Sequence, residues 1–208
     1  MGRQLIAELL RRGHVVRALV RPGSEGKLPP GCAAVPGNAL EKESYAGQVQ
    51  PADTFVQLVG VSHPNPAKAV EFRAVDLGSA RAAISAAMEA GIEHFVYVSV
   101  AQPAPVMRSY VQVRAECEQM IRASGLNATI LRPWYVLGPG RRWPNVLLPM
   151  YWLFELLPPT RETARRLGLV TIAQMVRAMA GAVENPCQGI RVLSVPEIHQ
   201  ASLRDAVW

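Results

Sequence analysis

The order of apolar and polar positions along the chain predicts strands that alternate with helices. Apolar residues recur at helical spacing from Gln4 to Arg12, and Gly13 follows as a stop signal. The run from His14 to Val20 is rich in β-branched and aliphatic residues and ends at an Arg-Pro-Gly turn, which predicts a strand. Thr54 to Gly60 is a second run of this kind.

The alternation continues through the middle of the chain. A helix is predicted from Leu77 to Ala90, and an apolar strand, HFVYVSV, then ends in Ser99. Next come a helix that carries Tyr110 and stops at Gly125, and a strand from Ala128 to Leu131. Strands that alternate with helices of this length predict a parallel sheet covered on both faces. The predicted fold class is therefore α/β, with a Rossmann-like, doubly wound parallel sheet.

Beyond Trp143 the alternation becomes looser. The pattern there predicts a helix, a turn at Pro158-Pro159, a helix from Ile172 to Val183 and a short strand from Arg191 to Val195. We interpret residues 143–208 as a small substrate-side subdomain that belongs to the same domain.

The composition of the 208 residues is that of one folded domain. Half of the residues are apolar and 18% are charged, which is not the composition of a disordered chain. The net charge of +6 comes mostly from arginine, and the arginine doublets are too short to form a stripe that binds nucleic acid. We predict no nucleic-acid partner, because a site for a phosphate-bearing small molecule explains the positive charge as well.

The cysteines and histidines favour a reducing, cytoplasmic location and no metal site. Three cysteines lie far apart, and four histidines lack the spacing of metal ligands. His94, just before an apolar strand, is expected to be structural. The apolar run from Val146 to Leu157 is too short and too interrupted to span a bilayer, so we predict no transmembrane segment. This run is expected to be buried, and a membrane-surface or partner-facing role is the alternative.

Three side chains form the candidate chemical group. Tyr110 and Arg114 are four positions apart, so they share one face of a helix, and Ser99 adds a hydroxyl at a strand end. A phenol, a fixed positive charge and a hydroxyl together suit proton transfer to a carbonyl or from an alcohol. The carboxyl ends of parallel strands form one crevice for a ligand. Four residues fall at such ends, which indicates one shared crevice: Arg21, Gly60, Ser99 and Pro133.

Five segments, in this order, resemble one family. They are MGRQLIAELLRRGHVVRALVR, PGNAL, AGIEHFVYVSV, a Y-x-x-x-R pair on a helix, and SGLNATILRPWYVLGPG. Over nearly its whole length the chain resembles the atypical or extended short-chain dehydrogenases/reductases, which include nucleotide-sugar epimerase-like and NmrA-like proteins. The resemblance implies that residues 1–142 form an NAD(P)-binding domain. It also implies that Tyr110 is the acid/base, that Ser99 orients the substrate oxygen, and that Arg114 replaces the family's lysine.

The resemblance assigns cofactor-binding residues as well. Gly2 matches the third glycine of the family's G-x-x-G-x-x-G loop, and Arg21 follows the second strand, where an arginine favours NADP over NAD. The other matched positions lie beside the adenosine or the nicotinamide: Asn38, Ala39, Leu58, Val59, Gly60, Pro133, Tyr135 and Val136. Several aromatic residues could line an apolar substrate pocket, although at least half of them are expected in the core: Trp134, Tyr135, Trp143, Tyr151 and Trp152.

The chain departs from the family at its start. The first strand and most of the glycine loop are missing before Gly2, so the predicted fold is N-terminally truncated. About five buried aliphatic side chains, at roughly 1.5–3 kcal/mol each, amount to on the order of 10 kcal/mol. Typical domains have a total stability of about 5–15 kcal/mol. We therefore expect marginal stability and weak dinucleotide binding in the chain as written, and we favour an internal methionine as its recorded start.

Arg114 is the second departure. The resemblance implies a lysine there, which hydrogen-bonds the nicotinamide ribose and lowers the pKa of the tyrosine. Arginine keeps the positive charge but is bulkier and planar. It could therefore lower the pKa of the tyrosine and yet fail to hydrogen-bond the ribose. The alternative is an ordinary surface ion pair between Arg114 and Glu118, four residues further on.

The predicted function is that of an NAD(P)-dependent oxidoreductase or sugar-epimerase relative acting on an unknown small molecule. One alternative is a non-catalytic NAD(P)-binding redox sensor or complex-assembly subunit, which would have a protein partner. Another is a decayed reading frame that folds poorly.

Overall fold

A computed structural model describes residues 1–62, 64–104, 107–138 and 168–204. Its strands are β1 Arg17–Val20, β2 Ala33–Pro36, β3 Thr54–Gln57, β4 His94–Val98, β5 Ala128–Leu131, β6 Tyr135–Leu137, β7 Leu169–Thr171 and β8 Ile190–Leu193. Its helices are α1 Gly2–Arg11, α2 Ala69–Glu71, α3 Gly78–Glu89, α4 Arg108–Ala123, α5 Ile172–Glu184 and α6 Val195–Arg204. A π-helix, Phe72–Leu77, joins α2 to α3. Several predicted features lie outside the described residues: Trp143, Tyr151, Trp152, the run from Val146 to Leu157 and the Pro158-Pro159 turn.

The strands pair in parallel. β3, β4, β5 and β8 form a four-stranded sheet in the order β3-β4-β5-β8, and each pair in it is parallel. In its register, Phe95 of β4 lies between Phe55 of β3 and Ala128 of β5. β1 pairs with β2 and β6 pairs with β7, again in parallel. The predicted α/β class with parallel strands is confirmed.

Strands β1 and β3 each have one unpaired edge. Within the described ranges, no strand joins the β1–β2 pair to the four-stranded sheet. Every residue of β5 is buried, whereas every residue of β1 is only half-buried. Arg17 holds β1 to the segment before β3, because its guanidinium donates to the carbonyl oxygens of Val49, Gln50 and Pro51.

Helices cover both faces of the four-stranded sheet. On one face, Phe95 and Tyr97 of β4 belong to an apolar cluster with residues of α3 and α4, such as Ile84 and Ile121. On the other face, Val96 belongs to a cluster with residues of α1, α5 and α6. Successive side chains of a strand point to opposite faces, so one strand supplies both clusters. The sheet is therefore doubly wound, as predicted.

Helix α1 is anchored by a narrow apolar stripe. Leu5 and Leu9 lie one turn apart, are only 3% and 6% exposed, and share a buried cluster with Met175 of α5. Each such side chain contributes roughly 1.5–3 kcal/mol when it is fully buried. This packing holds the start of α1 near the carboxyl end of β3, where a Cβ atom on Gly2 would lie 3.9 Å from Cδ1 of Leu58.

The described part of residues 143–208 belongs to the same core. β8 pairs with β5, and α5 packs against α1. Thr171 begins α5 with a reciprocal capping contact to Gln174. This part of the chain completes the four-stranded sheet and one of its helical layers, and a substrate-side role for residues 143–208 stays a prediction.

Several elements differ from the sequence pattern: β6, β7 and α6 are not predicted, and the strand predicted from Arg191 to Val195 is observed as Ile190–Leu193. The helix predicted from Leu77 begins earlier, because α2 and the π-helix precede α3 without a break. β2 is not predicted, because three of its four residues are exposed and its apolar run is short, with small side chains and a proline at its end. No helix in the described ranges is long and apolar enough to cross a membrane.

Candidate functional site

The carboxyl ends of β3, β4 and β5 lie at one edge of the sheet, because these strands are parallel. Leu58 to Gly60 follow β3, Ser99 follows β4, and Pro133 lies just beyond β5. The pairing continues past the strands, since the Ser99 N–H donates to the Leu131 carbonyl oxygen at 2.7 Å and the Ala101 N–H donates to that of Pro133 at 2.9 Å. The structure therefore brings these candidate residues to one edge.

The Arg114 side chain lies inside the protein. It is 7% exposed, and its Nη2 atom lies 2.5 Å from Oδ1 of Asp76, a fully buried residue of the π-helix. Its Nη1 atom donates to the Tyr97 hydroxyl at 3.1 Å and to the Val98 carbonyl oxygen at 2.8 Å. The predicted alternative, a surface ion pair with Glu118, is wrong, because the guanidinium extends to Asp76 and the end of β4.

Gly60 lies where this ion pair meets the loop after β3. A Cβ atom on Gly60 would lie 2.2 Å from Nη2 of Arg114 and 2.9 Å from Oδ1 of Asp76. The next residue, Val61, donates its N–H to Oδ2 of Asp76 at 3.0 Å. The protein's own ion pair thus requires glycine here. Sequence reasoning missed Asp76, although an acidic residue within an apolar helical segment is a signal of a buried charge pair.

Tyr110 extends from α4 into the same cluster. Its ring centre lies 5.0 Å from that of Phe72, and Cζ of Arg114 lies 5.2 Å from the centre of the Tyr110 ring. Burial raises the pKa of Tyr110, and the charge of Arg114 opposes this shift only in part. The phenol is protonated at neutral pH. The implied lowering of the tyrosine pKa by a neighbouring cation is therefore outweighed by burial.

Ser99 is bound to a buried carboxylate. Its hydroxyl donates to Oε1 of Glu118 at 2.6 Å, and Ser99 itself is 3% exposed. The same oxygen accepts from Nε2 of Gln102 at 2.6 Å and from Nε of Arg132 at 2.9 Å, and Nη2 of Arg132 donates to Oε2 at 2.5 Å. Sequence reasoning considered Glu118 only as a partner of Arg114, because its actual partners are 14 to 19 positions away along the chain.

The candidates for the adenosine side lie at the surface. Arg21 follows β1 and is exposed, and none of the ion pairs in the described ranges includes it. Asn38 is also exposed, but its amide donates to Glu41 Oε1 at 2.8 Å and its side-chain oxygen accepts from the Leu40 N–H at 3.1 Å. Ala39, between Asn38 and Leu40 in the chain, is half-buried. A ligand contact by the Asn38 side chain would have to replace one of these local bonds.

The candidates for the nicotinamide side lie in β6 or just before it. Pro133 is buried, and Tyr135 and Val136 are half-buried residues of β6, which pairs with β7. Trp134 packs against the apolar cluster that contains α1 and α5, so it belongs to the core at least in part.

His94 lies at the opposite end of β4. It is 1% exposed, and its Nε2 atom lies 3.0 Å from Oγ1 of Thr129, which also accepts from Arg191 at 3.0 Å. Burial, together with the charge of Arg191, lowers the pKa of His94 to about 4. The ring is neutral at neutral pH and forms part of the sheet interior, away from the candidate site.

The first 142 residues match a known family. Residues 1–142 fit the family model described as NAD(P)H-binding. The chain is 25% identical over 197 residues to the ceramide reductase of Caulobacter vibrioides, covering 93% of this chain and 61% of that protein. It is 29% identical over 140 residues to the Photosystem II assembly factor Ycf39 of Cyanophora paradoxa, covering 64% of this chain and 41% of that protein. The chain thus spans less than two thirds of the length of either relative.

Solved structures share the fold. Bordetella bronchiseptica WbmH in complex with NAD+ has a TM-score of 0.66 at 19% identity, covering 100% of this chain and 78% of WbmH. Thermus thermophilus UDP-glucose 4-epimerase in complex with NAD has a TM-score of 0.67 at 16% identity, covering 99% of this chain and 79% of the epimerase. At these identities the likeness establishes the Rossmann-like fold alone.

Proposed function

Because the chain belongs to the family of NAD(P)H-binding domains, we propose that it is an NAD(P)-dependent oxidoreductase that reduces a carbonyl group of a small molecule. The supporting observation is the state of Tyr110, since burial raises the pKa of its phenol beside the fixed charge of Arg114. A protonated phenol can donate its proton to a carbonyl oxygen that is being reduced. A relative of the sugar epimerases would use the same residues.

The residues at the strand ends fit a dinucleotide. The N–H groups of Gly2 and Arg3, at the start of α1, have no acceptor within the helix, since the first intrahelical hydrogen bonds are donated by Gln4 and Leu5. Such N–H groups at a helix start bind phosphate. Leu58 adjoins Gly2, so the loop from Leu58 to Gly60 would form the wall next to the phosphates. Pro133, Tyr135 and Val136 would form the wall beside the nicotinamide.

Arg21 supports a preference for NADP over NAD. Its guanidinium is exposed just after β1, and no described carboxylate competes for it through an ion pair. A guanidinium can bind a phosphate through two parallel hydrogen bonds. Asn38 and Ala39, which follow β2, would lie beside the adenine.

Each residue then has one task in the reaction. The reduced nicotinamide, when bound, supplies the hydride. Tyr110 donates the proton of its phenol oxygen to the substrate oxygen, and the charge of Arg114 stabilises the phenolate that remains. Ser99 acts as a hydrogen-bond acceptor toward the ligand, because its own proton is donated to Glu118. Residues 143–208 would contribute to substrate binding.

The second candidate function is a non-catalytic NAD(P)-binding module, such as a redox sensor or an assembly subunit. It is favoured by the bonds of Arg114, whose guanidinium is already engaged by Asp76, Tyr97 and the Val98 carbonyl oxygen. A guanidinium held in this way cannot bind a ribose as the lysine of the resembled family does. The similarity to an assembly factor agrees with this alternative.

Replacement of Tyr110 by phenylalanine separates the two functions. We expect Tyr110→Phe to abolish NADPH oxidation with a panel of carbonyl compounds that includes oxo forms of ceramide and of UDP-glucose. The affinity for NADPH, measured by fluorescence titration, should stay within about twofold, because the phenol acts on the substrate. Thermal shifts with NADPH and with NADH test the preference that Arg21 suggests.

Tyr45→Phe is the matched control, because Tyr45 is a buried tyrosine in the loop between β2 and β3. It should leave turnover unchanged. Equal turnover in Tyr110→Phe and wild type would contradict the proposed role of the phenol. Cofactor binding without turnover of any carbonyl compound would instead favour the non-catalytic module.

A further inference from the structure

One buried carboxylate joins two strand ends to helix α4. Glu118 is 2% exposed and accepts hydrogen bonds from Ser99, after β4, and from Arg132, after β5. Gln102, in the loop that leads to α4, donates to the same oxygen as Ser99. The two contacts from Arg132, at 2.9 and 2.5 Å, form a bidentate pair with the two carboxylate oxygens. Such charge-assisted pairs are short, strong and specific in direction.

These partners adjoin the segments that would surround a nicotinamide. Arg132 comes directly before Pro133 in the chain, so its position determines where the segment from Pro133 to Val136 begins. Glu118 itself lies two turns after Tyr110 on α4. The carboxylate therefore connects the end of β4, the segment after β5 and the helix of the proposed proton donor.

We propose that Glu118 is a positioning residue that holds the segment from Pro133 to Val136 and the Ser99 hydroxyl in place relative to Tyr110. The inference rests on the proposed function, because it concerns the same site. Glu118 touches neither substrate nor cofactor in this role. It acts through Arg132 on the nicotinamide wall and through Ser99 on the strand end.

The contact with Ser99 also limits the chemistry of the ligand. A serine hydroxyl has a single proton, and an ionised carboxylate can only accept. The Ser99 proton is directed to Glu118 at 2.6 Å, so the lone pairs of the Ser99 oxygen are what remains for a ligand. Ser99 therefore selects a ligand group that donates a hydrogen bond, such as a hydroxyl or an amide N–H. A carbonyl oxygen of the substrate would instead accept a hydrogen bond from Tyr110.

A purely structural role for Glu118 makes a different prediction. A buried charge pair that only stabilises the fold affects the melting temperature when it is broken, without a specific effect on residues 132–138. Thr129 offers the matched control, because it is fully buried, lies on β5, and forms hydrogen bonds to His94 and Arg191. These contacts lie on the side of the strand remote from Arg132.

The test compares Glu118→Gln, Arg132→Lys and Thr129→Val in the full chain. Hydrogen–deuterium exchange of peptides that cover residues 132–138 is measured without ligand, and NADPH affinity is measured by fluorescence titration. We expect Glu118→Gln and Arg132→Lys to speed exchange in this segment about tenfold and to weaken NADPH binding about tenfold, which corresponds to about 1.4 kcal/mol. Thr129→Val should lower the melting temperature and leave both quantities within about twofold.

Each outcome decides between the roles. Unchanged exchange at residues 132–138 in Glu118→Gln and Arg132→Lys, with a lower melting temperature, would overturn the positioning role. If Glu118→Gln does not fold, Arg132→Lys decides alone, because Arg132 is a quarter exposed and lysine keeps its charge. If wild-type protein responds to neither NADPH nor NADH, the proposed function fails, while the exchange measurement still tests the positioning.

Discussion

Removal of the Asp76 carboxylate should be among the most damaging single changes in the described chain. Asp76→Ala leaves the Arg114 guanidinium 7% exposed and without its anionic partner, and it also deprives the Val61 N–H of its acceptor. Breaking a buried ion pair by removing one partner costs about 3–5 kcal/mol, because a buried charge is left uncompensated. That is a large share of a typical stability of about 5–15 kcal/mol. Urea denaturation measures the difference in the free energy of unfolding.

The matched control is another acidic partner of an arginine. Glu116 of α4 lies 2.7 Å from Arg73, but the two side chains are 29% and 56% exposed. An exposed pair of this kind contributes only about 0–1 kcal/mol, so Glu116→Ala should have a small effect. Because both ion pairs are short, a difference between the two variants in the free energy of unfolding is due to burial and not to the distance between the charges.

A double variant tests the reason for the cost. Asp76→Leu combined with Arg114→Met removes both charges, and buried ion pairs replaced by apolar residues of similar volume are often neutral in stability. The double variant should therefore be more stable than Asp76→Ala. The reasoning is refuted if Asp76→Ala lowers the free energy of unfolding no more than Glu116→Ala does. It is also refuted if the double variant is less stable than Asp76→Ala.

Two further predictions concern stability. Gly60→Ala should lower the free energy of unfolding by roughly 1–3 kcal/mol, because its Cβ atom would lie 2.2 Å from Nη2 of Arg114. Gly78→Ala, at the start of α3, is the control and should be neutral or stabilising. Equal effects of the two substitutions in urea denaturation would contradict the close approach at Gly60. Burial, with the charge of Arg191, lowers the pKa of His94 from 6.5 to about 4 in the folded protein. As the pH falls from 6.5 to about 4, the unfolded chain protonates this histidine while the folded protein does not, so the free energy of unfolding should decrease over this range. His94→Gln should lack this part of the decrease in unfolding experiments across the same pH window, and an unchanged pH profile would argue against a neutral buried ring.

The sequence predicts the regular elements well where one periodic signal decides them. The strand from Ala128 to Leu131 has the same bounds in the sequence pattern and in the structure, because all four residues are buried and the run is continuous. The helix predicted from Ile172 to Val183 is observed as Ile172–Glu184. β2 escapes prediction, because a mostly exposed strand of alanine, valine and proline has no alternating pattern.

The partners of the site residues are much harder to predict than the elements. Spacing places Arg114 and Glu118 one turn apart on α4, which makes them an obvious ion pair in sequence. The structure separates them, because each pairs with a residue of another segment, the buried Asp76 for Arg114 and the quarter-exposed Arg132 for Glu118. Side-chain spacing identifies neighbours on one helix, whereas these choices depend on how neighbouring elements pack against it.

The two buried charge pairs together explain why Tyr110 can be fixed in place on α4. Arg114 holds the helix to the π-helix and to the end of β4, and Glu118 holds it to the ends of β4 and β5. A helix held at two successive turns from both sides cannot rotate about its axis without breaking one of the pairs. The orientation of the phenol therefore follows from charges that need not touch a ligand, because the Arg114 guanidinium is held by Asp76, Tyr97 and the Val98 carbonyl oxygen.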